Sequence, residues 1–106
     1  MSDPSGLPSL AALAARVAES LRERGETVAV VESSAGGLVS AALLAIPGAS
    51  AYFVGGAVVY TRKAAKGLLG LTADDVIGMR AETEPYANLI AGKIRERLRA
   101  SWGLCE

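Results

Sequence analysis

Histidine is absent from the 106 residues, so a Ser-His-Asp triad cannot be assembled within this chain. Cys105 is the only cysteine, which rules out an internal disulfide and, without histidine, leaves no zinc ligand set. No metal and no cofactor are expected, and a lone thiol suits a reducing, cytoplasmic setting. Aromatics are few and scattered (Tyr52, Phe53, Tyr60, Tyr86 and Trp102), which argues against a base-stacking platform. Net charge is also lacking, because 11 basic and 11 acidic side chains cancel and no global field favours nucleic acid or anionic lipid. No apolar run approaches the roughly 18 residues that would span a bilayer. Residues 1–6 carry neither a basic nor an apolar segment of the kind that leads a secreted chain. The expectation is a soluble cytoplasmic protein that binds neither nucleic acid nor membrane.

Apolar residues make up 51% and charged residues 21%, a balance that supports one globular domain with a true core. Residues 1–6 are small and polar and read as a disordered lead, with the domain over 7–106. Leu7, Leu10, Leu13, Ala14, Val17 and Leu21 recur at the helical period, with Pro8 in the first turn and Gly25 as the stop. Residues 27–32 (T-V-A-V-V-E) are β-branched without alternation, which predicts a central strand covered on both faces. A small-residue turn at 33–37 leads to a helix over 38–46 that ends at Pro47-Gly48.

A second buried, neighbouring strand is expected over 54–60, where Gly55 and Gly56 imply close backbone approach. Residues 62–69 read as a short helix stopped by Gly70, and Thr72 with Asp75 as a capping pair. Thr83 and Pro85 open a last helix with Tyr86, Ile90, Ile94 and Leu98 on one face. Its other face, with Lys93, Arg95, Glu96, Arg97 and Arg99, reads as solvated. Trp102 begins what looks like another element. The order predicts an α/β fold with a mostly parallel or mixed sheet. Only two strands are evident, so the sheet reads as cut short at its C-terminal end, and the chain is expected to be unstable alone or to associate.

The segment Glu32, Ser33, Ser34, Ala35, Gly36, Gly37 places two hydroxyls and several amides at a helix N-terminus, where phosphate or a developing oxyanion is favoured. Equally, small residues there permit a tight turn and close packing. The segment is neither a P-loop nor a G-x-S-x-G elbow. A serine nucleophile needs a base, and a desolvated lysine can serve. Lys63 and Lys66 are the candidates, or else two exposed lysines on a short helix.

The motifs E-S-S-A-G-G-L at 32–38, P-G-A-S at 47–50, G-G-A-V-V-Y-T at 55–61 and L-L-G-L at 68–71 stand in an order that resembles the CinA C-terminal domain family. Characterised members of that family include nicotinamide mononucleotide amidases of the PncC type. The resemblance implies a three-layer α/β/α sandwich, a homo-oligomer, and a small-molecule nucleotide as substrate. It also implies hydrolysis of nicotinamide mononucleotide to nicotinic acid mononucleotide and ammonia by a serine/lysine dyad, without metal or cofactor. The family's serine falls on Ser33, and its following Cys-Thr pair becomes Ser34-Ala35. Tyr60 and Thr61 match, but Arg62 replaces an asparagine and Ala65 stands at the lysine position, with Lys66 one residue later. On a helix that shift turns the side chain by about 100°.

Gly78-Met79-Arg80-Ala81 also departs from the family's pattern, and the family's T-G-x-A-G-P stretch would follow Glu106. The implied roles are Ser33 as nucleophile and Lys66 or Lys63 as base. The amides of Ser34, Ala35, Gly36 and Gly37 would stabilise the oxyanion, with Glu32, Tyr60, Thr61 and Arg62 as substrate contacts and Arg80 as a further charge. The alternative is a catalytically silent relative that binds a nucleotide or serves oligomerisation.

Overall fold

The computed structural model describes residues 6–106, so most of the expected lead segment lies outside the described residues. The first helix, α1, spans Leu10–Arg24 and starts later than the apolar period suggested. Ser9 is extended there, and its hydroxyl accepts the Ala12 amide at 3.1 Å, which fixes the start as an N-cap. Left-handed Gly25 ends the helix (φ 64°), its amide bonding the Arg22 carbonyl while that of Glu26 bonds Leu21. The expected apolar face is split. Ala14, Ala18 and Leu21 are buried, whereas Leu10, Leu13 and Val17 are more than two-fifths exposed.

Three strands, β1 (Val28–Glu32), β2 (Phe53–Val58) and β3 (Trp102–Cys105), form an all-parallel sheet in the order β2-β1-β3. Every residue of the central strand is buried, as the unalternating V-A-V-V-E run predicted. Its two sides face different helices. Val28 and Val30 pack with Ala14, Ala18, Leu21, Leu43 and Tyr52, from α1, α2 (Leu38–Leu44) and the turn before β2. Ala29 and Val31 pack with Ala65, Leu69, Ile90 and Ile94, from α3 (Arg62–Leu69) and α4 (Glu84–Leu98). The layers are therefore α/β/α.

The second strand is an edge strand, not the fully buried one expected. It alternates half-buried and exposed residues, with Val54 and Val58 nearly half exposed and Tyr60 beyond its end. Helix α2 is only two turns long and seats closely at Gly56, where a Cβ would lie 2.8 Å from the Ser40 hydroxyl. The pairing also skips Val54, since Val28 faces Phe53 and Ala29 faces Gly55.

The element expected to begin at Trp102 is the third strand, W-G-L-C, which is short and carries a glycine. That glycine is required by α4. A Cβ on Gly103 would lie 2.0 Å from the Ala91 carbonyl oxygen, so the helix backbone rests directly on the strand. Thr72 and Asp75 do exchange side-chain and amide hydrogen bonds around a short 3-10 turn. On the outer face of α4, Arg95, Glu96, Arg97 and Arg99 are exposed, while half-buried Lys93 pairs with Asp75 at 3.2 Å. Among the described residues no helix is long and apolar enough to cross a membrane.

Candidate active site

After β1 the chain enters α2 on one face of the sheet, and after β2 it enters α3 on the other. Neighbouring strands whose connections part in this way leave a crevice at their carboxyl ends. A cleft of about 620 Å³ opens there, between Ser33 and Ser34 after β1, Tyr60, Thr61 and Arg62 after β2, and Glu82, Thr83 and Tyr86 leading into α4.

The loop after β1 is held from behind by Glu32. Glu32 is 1% exposed, and its carboxylate accepts the amides of Val39 at 2.8 Å and Ser40 at 2.9 Å, capping α2. Burial pushes its carboxyl up, but the Ser40 and Val39 amides, the Ser40 hydroxyl and the Gly37 amide outweigh this and hold it below the ordinary value. Glu32 therefore lies outside the cleft lining, and the positive end of α2 is already taken by a carboxylate. The amides left over for another anion are those of the loop before the helix. Gly36 (φ 63°) and Gly37 (φ 104°) are both left-handed, and this lets the loop reverse between strand and helix. Neither glycine lines the cleft.

The donors that the loop turns toward Glu106 are those of Ser33, Ser34 and Ala35, of which Ser33 and Ser34 line the cleft. The Ser33 and Ala35 amides converge on Glu106 Oε1 at 2.9 and 2.8 Å. The Ser34 hydroxyl donates to Oε2 at 2.7 Å, and the Ser33 hydroxyl donates to the Glu106 carbonyl at 3.0 Å. The Ser34 hydroxyl, followed by the Ala35 and Ser33 amides, holds the Glu106 carboxyl below its usual range. Two amides focused on one oxygen at these distances form the geometry of an oxyanion hole.

Across the cleft, the Arg62 guanidinium lies 5.1 Å from the Tyr86 ring centroid. Thr61 also lines the cleft, but its hydroxyl accepts the Ala64 amide at 3.1 Å and so caps α3. Tyr60 is 77% exposed at the rim. Glu82 lines the cleft with φ 62°, a left-handed backbone at a residue with a side chain. Arg80 is exposed outside the cleft, and its carbonyl accepts the Thr83 hydroxyl.

The two lysines stand apart from Ser33 in this arrangement. Lys63 and Lys66 are exposed on α3, and neither lines the cleft. Ala65 is fully buried in the core. Lys66 is four residues after Arg62, so it shares the helix face that borders the cleft, one turn further along. Glu82, Tyr86, Cys105 and Glu106 were not anticipated as cleft residues. In the sequence Tyr86 reads only as part of the apolar face of the last helix, and Cys105 and Glu106 only as part of the element that begins at Trp102. Burial, followed by the nearby Glu106 charge, pushes the Cys105 thiol up.

The family model for the CinA C-terminal domain matches residues 10–106. A CinA-like protein of Prochlorococcus marinus is 42% identical over 92 residues, which is 87% of this chain and 21% of that protein. The crystal structure of competence/damage inducible protein CihA from Agrobacterium tumefaciens superposes with a TM-score of 0.77 at 32% identity, over 94% of this chain and 59% of that one. Competence damage-inducible protein A from Klebsiella pneumoniae gives a TM-score of 0.79 at 27% identity, over 88% and 58%. The chain thus spans about a fifth of its curated relative and under two thirds of the solved chains.

Proposed function

Because the chain belongs to the CinA C-terminal domain family, we propose that its cleft takes nicotinamide mononucleotide and hydrolyses the carboxamide through Ser33. The observation that carries this reading is the convergence of the Ser33 and Ala35 amides on a single oxygen, with the Ser33 hydroxyl in the same loop. In the reaction, the Ser33 hydroxyl oxygen adds to the carboxamide carbon, and the carbonyl oxygen takes the place that Glu106 Oε1 occupies. The hydroxyl proton passes to Lys66 and on to the departing nitrogen, so ammonia leaves and an acyl ester remains. Water then adds to the ester carbon, returns a proton to Ser33 through Lys66, and frees the carboxylate. Lys66 enters this scheme by swinging its flexible stem along the helix face it shares with Arg62. Catalytic contacts are often long before substrate arrives. Arg62, braced on Tyr86, is the cation placed to meet the nucleotide phosphate.

A second reading is nucleotide binding without turnover, and the exposure of Lys66 outside the cleft favours it. Ammonia release from nicotinamide mononucleotide, paired with calorimetric binding of the same compound, separates the two. The proposal expects release by the wild type, and Ser33→Ala to bind without releasing ammonia. Wild-type binding with no release supports the silent relative instead. Undiminished release by Ser33→Ala would remove Ser33 from the mechanism.

A further inference from the structure

The loop after β1 holds a carboxylate, and the way it does so reaches beyond a transient oxyanion. Both oxygens are engaged: Oε1 by the amides of Ser33 and Ala35, Oε2 by the hydroxyl of Ser34. The contact joins segments more than 70 residues apart in sequence, so it is not a local turn. Among the described residues Glu106 forms no ion pair, and its donors are neutral groups, two of them fixed by the backbone. Such a loop reads the planar, two-oxygen shape of a carboxylate as well as its charge.

We infer that Ser33, Ser34 and Ala35 form a binding site for the carboxylate of a ligand, and that Glu106 is the built-in competitor that must vacate it. The inference deepens the proposed function and rests on it only for the ligand's identity. The acid product of carboxamide hydrolysis presents a carboxylate where the substrate presents an amide. The amide's one oxygen suits the two converging N–H groups, and its NH₂ must then face Ser34. A hydroxyl either donates or accepts, so Ser34 rotates to accept from the substrate and to donate to the product. The product therefore competes for the same donors as Glu106.

Charge acts in the same direction. Among the described residues lining the cleft, Glu82 and Glu106 are acidic and Arg62 is basic. Withdrawing or removing Glu106 frees the donors and also relieves repulsion of an anionic ligand. If Glu106 fills the loop for about nine-tenths of the time, apparent affinity for a carboxylate ligand falls roughly tenfold.

The test is calorimetric titration of nicotinic acid mononucleotide and nicotinamide mononucleotide into wild type, Glu106→Ala and Glu106→Gln, with amide NMR of Ser33 and Ala35. None of these readouts requires turnover, so a failure of catalysis is distinct from a failure of this inference. Glu106→Ala is expected to bind the acid roughly tenfold tighter than wild type, with the Ser33 and Ala35 amides shifting on binding. The gain for the amide should be smaller, because the amide bears no added charge. Glu106→Gln, which keeps the shape without the charge, should fall between them and stands in if Glu106→Ala does not fold. Equal affinity in all three, weaker binding in both variants, or no binding by any folded form would each overturn the inference.

Discussion

Glu32 places its carboxylate 2.9 Å from the Ser40 amide, across the loop that carries Ser33, and so fixes the start of α2 from the buried side. A strand end is tied to a helix start by one side chain. The loop between them is free to present its remaining amides to the cleft. Glu32→Ala leaves the Val39 and Ser40 amides without their acceptor and should cost about 1–3 kcal/mol. Urea unfolding of wild type and variant measures it. A loss below a few tenths of a kcal/mol contradicts the role given to Glu32.

Acid stability follows from the same group. The folded-state value of Glu32 lies below its ordinary 4.5. Its contribution is therefore present in full above that ordinary value and is lost as pH falls through the lower, folded one. Asp75 is also lowered, by the Thr72 amide and hydroxyl and then by Lys93, and it acts with the same sign. Stability measured on descending from neutral pH should hold until about the ordinary carboxylate range and then fall. Glu32→Gln should flatten that fall. An unchanged slope in Glu32→Gln would assign the acid sensitivity elsewhere.

Gly103 is the point where α4 touches the sheet. Gly103→Ala would set a methyl group 2.0 Å from the Ala91 carbonyl oxygen, a backbone atom that cannot rotate away. The cost should reach about 1–3 kcal/mol or more, through displacement of α4 from β3. Thermal melts of wild type and variant decide it. An equal melting temperature would show that the helix does not rest on this strand.

Among the described residues one side remains apolar and uncovered. Leu13 and Val17 of α1 and Trp102 and Leu104 of edge strand β3 are each more than two-fifths exposed and border a common groove. With an open strand edge beside it, the 106-residue chain should associate with a second copy as concentration rises. Light scattering on wild type and Leu104→Lys tests this. A compact monomer at all concentrations, melting cooperatively, would contradict it.

Legibility in the sequence differed by element for physical reasons. The central strand was readable because burial on both faces imposes an unbroken β-branched run. The helices α3 and α4 were readable from their caps and stops. The third strand was legible only as the start of another element at Trp102, because its pairing partner is far away in sequence and Gly103 answers to α4, not to strand propensity. The serine loop was recognisable, but the roles within it were not. Glu32 reads in the sequence as a ligand contact, and its part as a helix cap is not legible there, because two amides lie within its reach only after folding. Glu106 went unnoticed, since the Ser33 and Ser34 side that it meets is more than 70 residues away.

The central claim is that Ser33 attacks and Lys66 serves it. The most direct test is the rate of ammonia release from nicotinamide mononucleotide by wild type, Ser33→Ala, Lys66→Ala and Lys63→Ala. A loss of about 10²-fold or more is expected with Ser33→Ala and with Lys66→Ala, and near wild-type release with Lys63→Ala. Full release by both lysine variants would contradict the dyad, and no release by the wild type would contradict catalysis at this cleft.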